Sequence, residues 1–360
     1  MQTFDIIRKN EVNKTFRNEL VIGTYDLNLS HYEEHFKGTF ELPEKWNVGL
    51  IVGKSGTGKT TIAKEIFKEN YVDKIEWDNN KSIVDNFPES QSFENITNKL
   101  CAVGLSSPPL WIKKYSMLSN GEKMRCDLAR CLCDENEMFV FDEFTSVVDR
   151  QVAQVCSLAT QKAVRKDNKK FIAVTCHYDV QLFLMPDWIF NTDNMTFQIL
   201  DFEEQKKNRP KFNLSIFELS KDKRKFYWNF FRKYHYLNSE LMPTAQCFVC
   251  FCNDNLCGFF SAIKYPTNNG TYILRGHRFV IFPDYQCIGI GSVFHKFCAN
   301  YLIKKYHKKI HHTTSNPNLI KHFLKSKNYK LKQKGYKHKE KLRSSHTRYI
   351  YTFQFIPDAD

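Results

Sequence analysis

The chain has 360 residues, of which 42% are apolar, enough for two hydrophobic cores and too many for a disordered polymer. No run of about 18 apolar residues occurs, which excludes an ordinary membrane helix, and the start, MQTFDIIRKNEV, lacks the apolar stretch of a signal peptide. The net charge of +14 is unevenly spread: residues 1–205 carry 24 Lys+Arg against 31 Asp+Glu, whereas residues 206–360 carry 29 against 8.

In chain order, the first half alternates apolar strands with helical patterns, as in an α/β fold. NVGLIVG (47–53), EMFVFDE (137–143) and KFIAVTCH (170–177) read as buried parallel strands. A polar stretch, Glu203 to Lys211, sits where the charge balance turns over and is expected to be a linker. The second half reads as α+β. A helix over KRKFYWNFFRKYHYL is followed by a hairpin of CFVCFC and CGFFSAI around Asn253, Asp254 and Asn255. Then come a strand (YILRGHRFVIF), a helix (SVFHKFCANYLIKKY), a strand near KIHHTTS, a helix at NPNLIKHFLKS and a strand at RYIYTFQF. The expected domains are 1–205 and 206–360, in a cytoplasmic protein whose 12 cysteines are mostly reduced.

Gly53, Lys54, Ser55, Gly56, Thr57, Gly58, Lys59 and Thr60 satisfy the phosphate-loop pattern in full, with Thr61 next, a strand before and a helix after. The glycines let backbone N–H groups face phosphates, and the helix adds its positive end. Lys59 is expected to reach the β- and γ-phosphates of ATP, and Thr60 to bind Mg²⁺. LSNGEK (118–123), MFVFDE ending in Asp142 and Glu143, SVVD (146–149) and VTCH ending in His177 follow in that order. The series resembles the ABC-type ATPase family. The resemblance implies that Asp142 holds Mg²⁺ through water, Glu143 acts on the attacking water and His177 contacts the γ-phosphate. It also implies that Ser119 and Gly121 close on ATP bound by a second copy, making an ATP-dependent homodimer. Asn120 and Glu122 depart from the family's signature, and Glu122 repels a γ-phosphate unless it points away. Gln91 and Tyr32 are candidates for the Q-loop and for adenine stacking. The 60 residues from Lys59 to Ser119 are few for a subunit coupled to membrane helices.

In the second half, a strand, then Gln286, Cys287, Ile288, Gly289, Ile290 and Gly291, then a helix, resembles the pyrophosphate loop of GNAT acyltransferases. The resemblance implies acetyl-CoA or a related acyl-CoA, held by the backbone of this loop. RKYHYLN, HRFVIFPDYQCIGIG and HHTTSNPNLIKHF look faintly like the Mom-type branch, phage DNA modifiers that act on adenine. His235 and Tyr236 are the candidate base and acid, or metal ligands; the competing reading is an aromatic helix face in the core. His312, Thr314, Ser315 and Tyr329 are further candidates, and Arg275 and Arg278 are phosphate binders or solvent-facing. Cys247, Cys250, Cys252 and Cys257 have a tempting spacing, but Cys247 and Cys250 face opposite ways on a strand, against a zinc site.

A half so poor in acids is expected to seek a polyanion, DNA before RNA. The leading expectation is an ATPase fused to a GNAT-like transferase that modifies a nucleic-acid base. The rivals are an N-acetyltransferase acting on protein or tRNA, and an ATP-gated nucleic-acid clamp with a non-catalytic GNAT fold.

Overall fold

The computed structural model describes residues 1–9, 12–28, 33–235, 240–337 and 348–358. β1 (Gln2–Lys9) and β2 (Glu33–Phe40) pair antiparallel, with α1 (Phe16–Tyr25) between them in the chain. β3 (Val48–Val52), α2 (Lys59–Ile66) and β4 (Tyr71–Val72) follow. Next come three helices, α3 (Phe93–Ala102), α4 (Pro108–Trp111) and α5 (Asn120–Cys133). The first half ends with β5 (Met138–Phe141), α6 (Arg150–Lys166), β6 (Lys170–Thr175), α7 (Gln181–Leu184), β7 (Trp188–Asn191), β8 (Thr196–Ile199) and α8 (Phe202–Asn208).

Six of these strands form a sheet in the order β4-β5-β6-β3-β7-β8, parallel except for β8. All five residues of β3 are buried, because a strand with neighbours and helices on both sides has no solvent face to fill with polar groups. The expected linker is instead largely the helix α8. Asp201 caps it by accepting from the Glu204 N–H at 2.8 Å, while Lys206 and Lys207 occupy its last turn. These charges complement the helix dipole and stabilise what composition alone suggests is a tether.

The second half contributes β9 (Leu214–Glu218), α9 (Lys221–Phe231), β10 (Gln246–Cys252), β11 (Asn255–Pro266), β12 (Tyr272–Ile281), α10 (Ile290–Tyr306), β13 (Ile310–Thr314), α11 (Pro317–Lys325), β14 (Tyr329–Lys337) and β15 (Arg348–Phe355). The sheet order is β14-β15-β13-β12-β11-β10-β9. The hairpin turn takes Asn253 and Asp254 through φ of 45° and 67°, the left-handed pair that a two-residue connection requires. Along β10, Cys247 and Val249 pack with Trp228 and Phe231 of α9. Phe248, Cys250 and Cys252 pack on the other face with Phe294, Cys298 and Leu302 of α10. Cys257 lies on this second face and Cys247 on the first, so the four thiols serve two separate cores.

Contacts divide the chain into two units that are not consecutive in sequence. One comprises residues 1–75, 135–147 and 164–209; the other comprises 76–134, 148–163 and 210–360. The chain thus passes between units at 209/210 and at four earlier points. Within the second unit, Val155 of α6 sits in the core beneath β10 and β11, and Gln151 donates to the Cys252 carbonyl at 2.8 Å. Lys321 of α11 reaches Glu94 at 2.9 Å and Asn98 at 3.0 Å.

The 76–134 segment contains a buried carboxyl with a measurable signature. Trp77 and Tyr115 stack with ring centroids 4.6 Å apart, and both donate to Asp127, at 2.7 and 2.8 Å. Burial outweighs these donors and holds the Asp127 carboxyl up at about 6. An unfolded Asp titrates near 3.9. Between these values the folded chain binds more protons than the unfolded one, so stability rises as pH falls. Urea unfolding is expected to show wild type gaining about 1 kcal/mol between roughly pH 7 and pH 5 relative to Asp127→Asn. Equal slopes for the two proteins would refute the assignment.

Candidate functional site

The candidate nucleotide site is built on β3. The chain leaves the buried strand into the phosphate loop, and Gly58 at φ 81° opens α2. The first intrahelical bond is Ile62 N–H to the Gly58 carbonyl at 2.8 Å. Helix geometry leaves the N–H groups of Lys59, Thr60 and Thr61 without intrahelical acceptors, as an anion nest needs. Lys59 Nζ donates to the Lys54 carbonyl at 2.6 Å, which folds the side chain back over the loop. Thr57 donates to the same carbonyl at 2.8 Å and meets Thr192 at 2.6 Å. Lys54 N–H donates to Asp193 Oδ1 at 2.8 Å, and Tyr178 donates to the other oxygen of Asp193. The Tyr178 bond, then the Lys54 N–H, hold the Asp193 carboxyl below its ordinary value.

Asp142 ends β5. Its Oδ2 accepts from Tyr71 at 2.5 Å and its Oδ1 from the Glu143 N–H at 2.8 Å. Burial, then the Asp142 bond, push the Tyr71 hydroxyl up, so it stays a donor that fixes the carboxylate. Glu143 is exposed at φ 51°, and Ser146 holds this turn by donating to the Glu143 carbonyl from Oγ at 2.8 Å and from N–H at 3.1 Å. Thr145 lies 3.3 Å from His177 Nδ1. The oxygen donors Thr60 and Asp142 are the hard ligands that Mg²⁺ takes. Tyr32 lies outside the described residues. Gln91 accepts from Asn95 at 2.5 Å at the start of α3.

The signature lies in the second unit. Ser119 caps α5 by accepting from the Glu122 N–H at 3.3 Å, and Glu122 accepts from the Ser119 N–H at 3.0 Å. This capping box ties the Glu122 carboxylate back onto the cap. Gly121 packs against Val148: a Cβ there would lie 3.1 Å from its side chain.

In the same unit, β12 and β13 run parallel but pair only across Leu274/Ile310 and Arg275/His311. Beyond that, β12 stays with β11 and β13 with β15, so the sheet opens between them toward the C-terminal end of β12. At that end lies the Gln286–Gly291 loop. Gly289 has φ 101° and caps α10, whose first bonds are Ser292 and Val293 N–H to the Gly289 carbonyl at 3.1 and 3.2 Å. Nothing lies within 4 Å of where a Gly289 Cβ would be, so the loop is open to a ligand on this side. Any side chain there would strain a backbone that suits glycine. Ile290 is buried in the core and Ile288 packs at its edge, so only their backbones can serve a phosphate.

The Gln286 side chain is engaged within the protein. Its Nε2 donates to the Ile281 carbonyl at 2.7 Å, and its Oε1 accepts from the Ser106 N–H at 2.8 Å. Cys287 Sγ donates to the Cys101 carbonyl. Two residues upstream of Gln286, Asp284 pairs with Arg125 of α5 at 2.6 Å. His235 is buried with its ring 5.8 Å from that of Trp228, and Ser107 donates to the neighbouring Tyr234 carbonyl at 2.8 Å. Tyr236 lies outside the described residues. Arg278 is buried rather than solvent-facing and donates to the His277 carbonyl at 2.9 Å; Arg275 reaches Thr313 at 3.3 Å.

No protein-family model matches the chain. The Lactococcin-G-processing and transport ATP-binding protein LagD of Lactococcus lactis subsp. lactis is 27% identical over 183 residues, covering 40% of this chain and 26% of that protein. The chain therefore spans about a quarter of the length of the curated relative it matches. Among solved structures, a dimeric post-hydrolysis ATP-binding cassette, MJ0796 bound to ADP and Pi, matches at TM-score 0.40 and 15% identity, over 56% of this chain and 98% of that one. Arabidopsis thaliana Naa50 in complex with a bisubstrate analogue matches at TM-score 0.33 and 14% identity, over 39% of this chain and 97% of that one. Among the described residues no helix is long and apolar enough to cross a membrane.

Sequence reading passes over Tyr71, Asp193, Arg125 and Asp284. The first two stand beside motif residues only after the sheet forms. The last two are 159 positions apart, and each reads alone as an ordinary surface charge.

Proposed function

We propose that the chain is an ABC-type ATPase whose nucleotide-driven dimerisation acts on a GNAT-like N-acyltransferase, and that the acyl-derived group goes to a nucleic-acid base, DNA before RNA. The observation that carries this reading is the Arg125–Asp284 ion pair. α5 begins at Ser119, the residue expected to meet ATP held by a second copy. The same helix grips the turn that leads into the acyl-donor loop. A displacement of α5 on ATP binding therefore bears directly on Asp284, two residues before Gln286.

In this reading the N–H groups of the phosphate loop bind the triphosphate, and Lys59 exchanges the Lys54 carbonyl for phosphate oxygens. Thr60 and Asp142 would hold Mg²⁺, which offsets phosphate charge when bound. Glu143 orients and deprotonates the attacking water, with His177 beside the γ-phosphate. The open side of Gly289 and the free first turn of α10 receive the pyrophosphate of the acyl carrier, and His235 lies in the buried aromatic layer near the parting strands. A lysine-rich edge supports a polyanionic substrate: Lys330, Lys332 and Lys334 of β14 are exposed, and Tyr349 of β15 is 55% exposed.

Mass spectrometry of nucleosides and proteins from cells expressing wild type or Lys59→Ala tests product and coupling together. A modified nucleoside present with wild type and lost with Lys59→Ala is the expected result. A modified protein or tRNA in its place would move the target to the rival transferase reading.

One observation favours a second reading, an ATP-gated nucleic-acid clamp. The internal bonds of Gln286 leave its side chain no role at a pyrophosphate. Calorimetry with acetyl-CoA separates the two: wild type binding and Gly289→Val not binding is expected for a transferase, and no binding by either for a clamp.

A further inference from the structure

A hydrogen-bonded series of three titratable side chains crosses the interior of the second unit. The Tyr329 hydroxyl lies 2.7 Å from Nδ1 of His295, and Nε2 of His295 lies 3.3 Å from Nδ1 of His312. His295 is 2% exposed and His312 6%. Each member comes from a different element: β14, α10 and β13. α10 is the helix that starts at the acyl-donor loop, and His312 follows the last pairing of β13 with β12.

A buried polar cluster can serve structure alone. The surroundings here argue for more. Phe260, Phe279 and Phe323 ring His295, a setting in which an apolar side chain would pack without polar partners. Opposite His312 stands Gly276, where a Cβ would fall 2.4 Å from the His312 Nδ1. A bare backbone is therefore needed where the strands part, to seat this ring. Burial comes first in holding both histidines uncharged. The neighbouring titratable groups, His312 and His322 for His295 and His235 and Arg275 for His312, push the same way. His312 is brought down to about 4. Two neutral imidazoles in series carry a proton on one nitrogen each, and the pattern of donors is self-consistent in either of two directions.

We propose that His312, His295 and Tyr329 form a proton relay that drains the site of acyl transfer. This rests on the transferase reading given above. As the amine nitrogen attacks the thioester carbonyl, the C–N bond forms and the C–S bond breaks, with its electron pair going to sulfur. The amine proton goes to Nε2 of His312. The Nδ1 proton of His312 passes to Nε2 of His295, and the Nδ1 proton of His295 passes to the Tyr329 oxygen. Tyr329, which is only partly buried, releases its own proton to water, and the thiolate takes a proton from water. His312 is the acceptor; His295 and Tyr329 are positioning residues that keep Nε2 of His312 unprotonated.

The test is nitrogen NMR of the full chain labelled at histidine, for wild type and Tyr329→Phe. The phenyl ring keeps the stack on Phe323, whose centroid is 4.0 Å away, so the fold is retained. In wild type both rings are expected neutral at about pH 7, with the proton on Nδ1. In Tyr329→Phe the Nδ1 proton of His295 loses its acceptor, so both rings switch to the Nε2 form. His312 signals unmoved by the substitution, or a cationic ring in wild type, would overturn the relay. With turnover, Tyr329→Phe is expected to lower kcat at least tenfold at unchanged KM for acetyl-CoA, and a KM change alone would overturn it. Failure of the transferase reading shows separately, as the expected tautomer switch between wild type and Tyr329→Phe in a chain that binds no acetyl-CoA. That result overturns the relay's role by removing its proton source.

Discussion

Glu143→Gln is expected to lower ATP hydrolysis by about 10²–10⁴-fold while ATP stays bound, the range for loss of one positioned general base. The structure gives this carboxylate the right freedom. It is exposed at the end of β5, its backbone is pinned by Ser146, and the neighbouring Asp142 is held by Tyr71. The amide keeps the size and removes the basicity. In the proposed reading ATP is held by the phosphate-loop N–H groups and Lys59, which the change does not touch. The mutant is therefore expected to accumulate as an ATP-bound dimer, read by light scattering together with retained nucleotide. A mutant hydrolysing ATP at the wild-type rate would remove Glu143 from the mechanism. One that loses ATP binding would make it a binding residue instead.

Asp284→Asn is expected to cost about 2–3 kcal/mol of unfolding free energy, more than Arg125→Met. This order inverts the intuition that the larger residue matters more. Arg125 is 1% exposed, and its Nη2 has no hydrogen-bond partner among the described residues. Asp284 is 45% exposed and supplies the bond to Nη1. Removing the carboxylate charge strands a guanidinium in the interior. Removing the guanidinium leaves a carboxylate that water reaches, with methionine filling most of the space. Urea unfolding of the two single mutants decides the matter, and an equal or reversed order would refute it. The Asp284 mutant is also the one expected to uncouple acetyl-CoA binding from ATP.

The parts legible in the sequence are those in which the ligand dictates the backbone. A phosphate nest needs glycines at fixed spacing between a strand and a helix, so residues 53–60 and 286–291 stand out as candidates without a fold. The buried strands β3, β5 and β6 are equally plain, because strands covered on both faces become unbroken apolar runs. β14 stays hidden: alternating lysines on an edge strand look like a solvated loop. α8 stays hidden because its caps are charged residues that also suit a tether. His295 reads as one more polar residue in a long helix. Its meaning depends on Tyr329 and His312, which only the assembled sheet brings within bonding distance. The membership of residues 76–134 in the second unit is set by contacts with residues some 160–230 positions away, which no local pattern records.

The presence of Val155 inside the core beneath β10 bears on ancestry. A second half whose core takes in a side chain from residues 148–163 is not a self-contained module. Gene shuffling that joined the halves at 209/210 would deliver a protein with a hole where that valine belongs. Lineages of this architecture are therefore expected to descend as a unit, the two halves changing together.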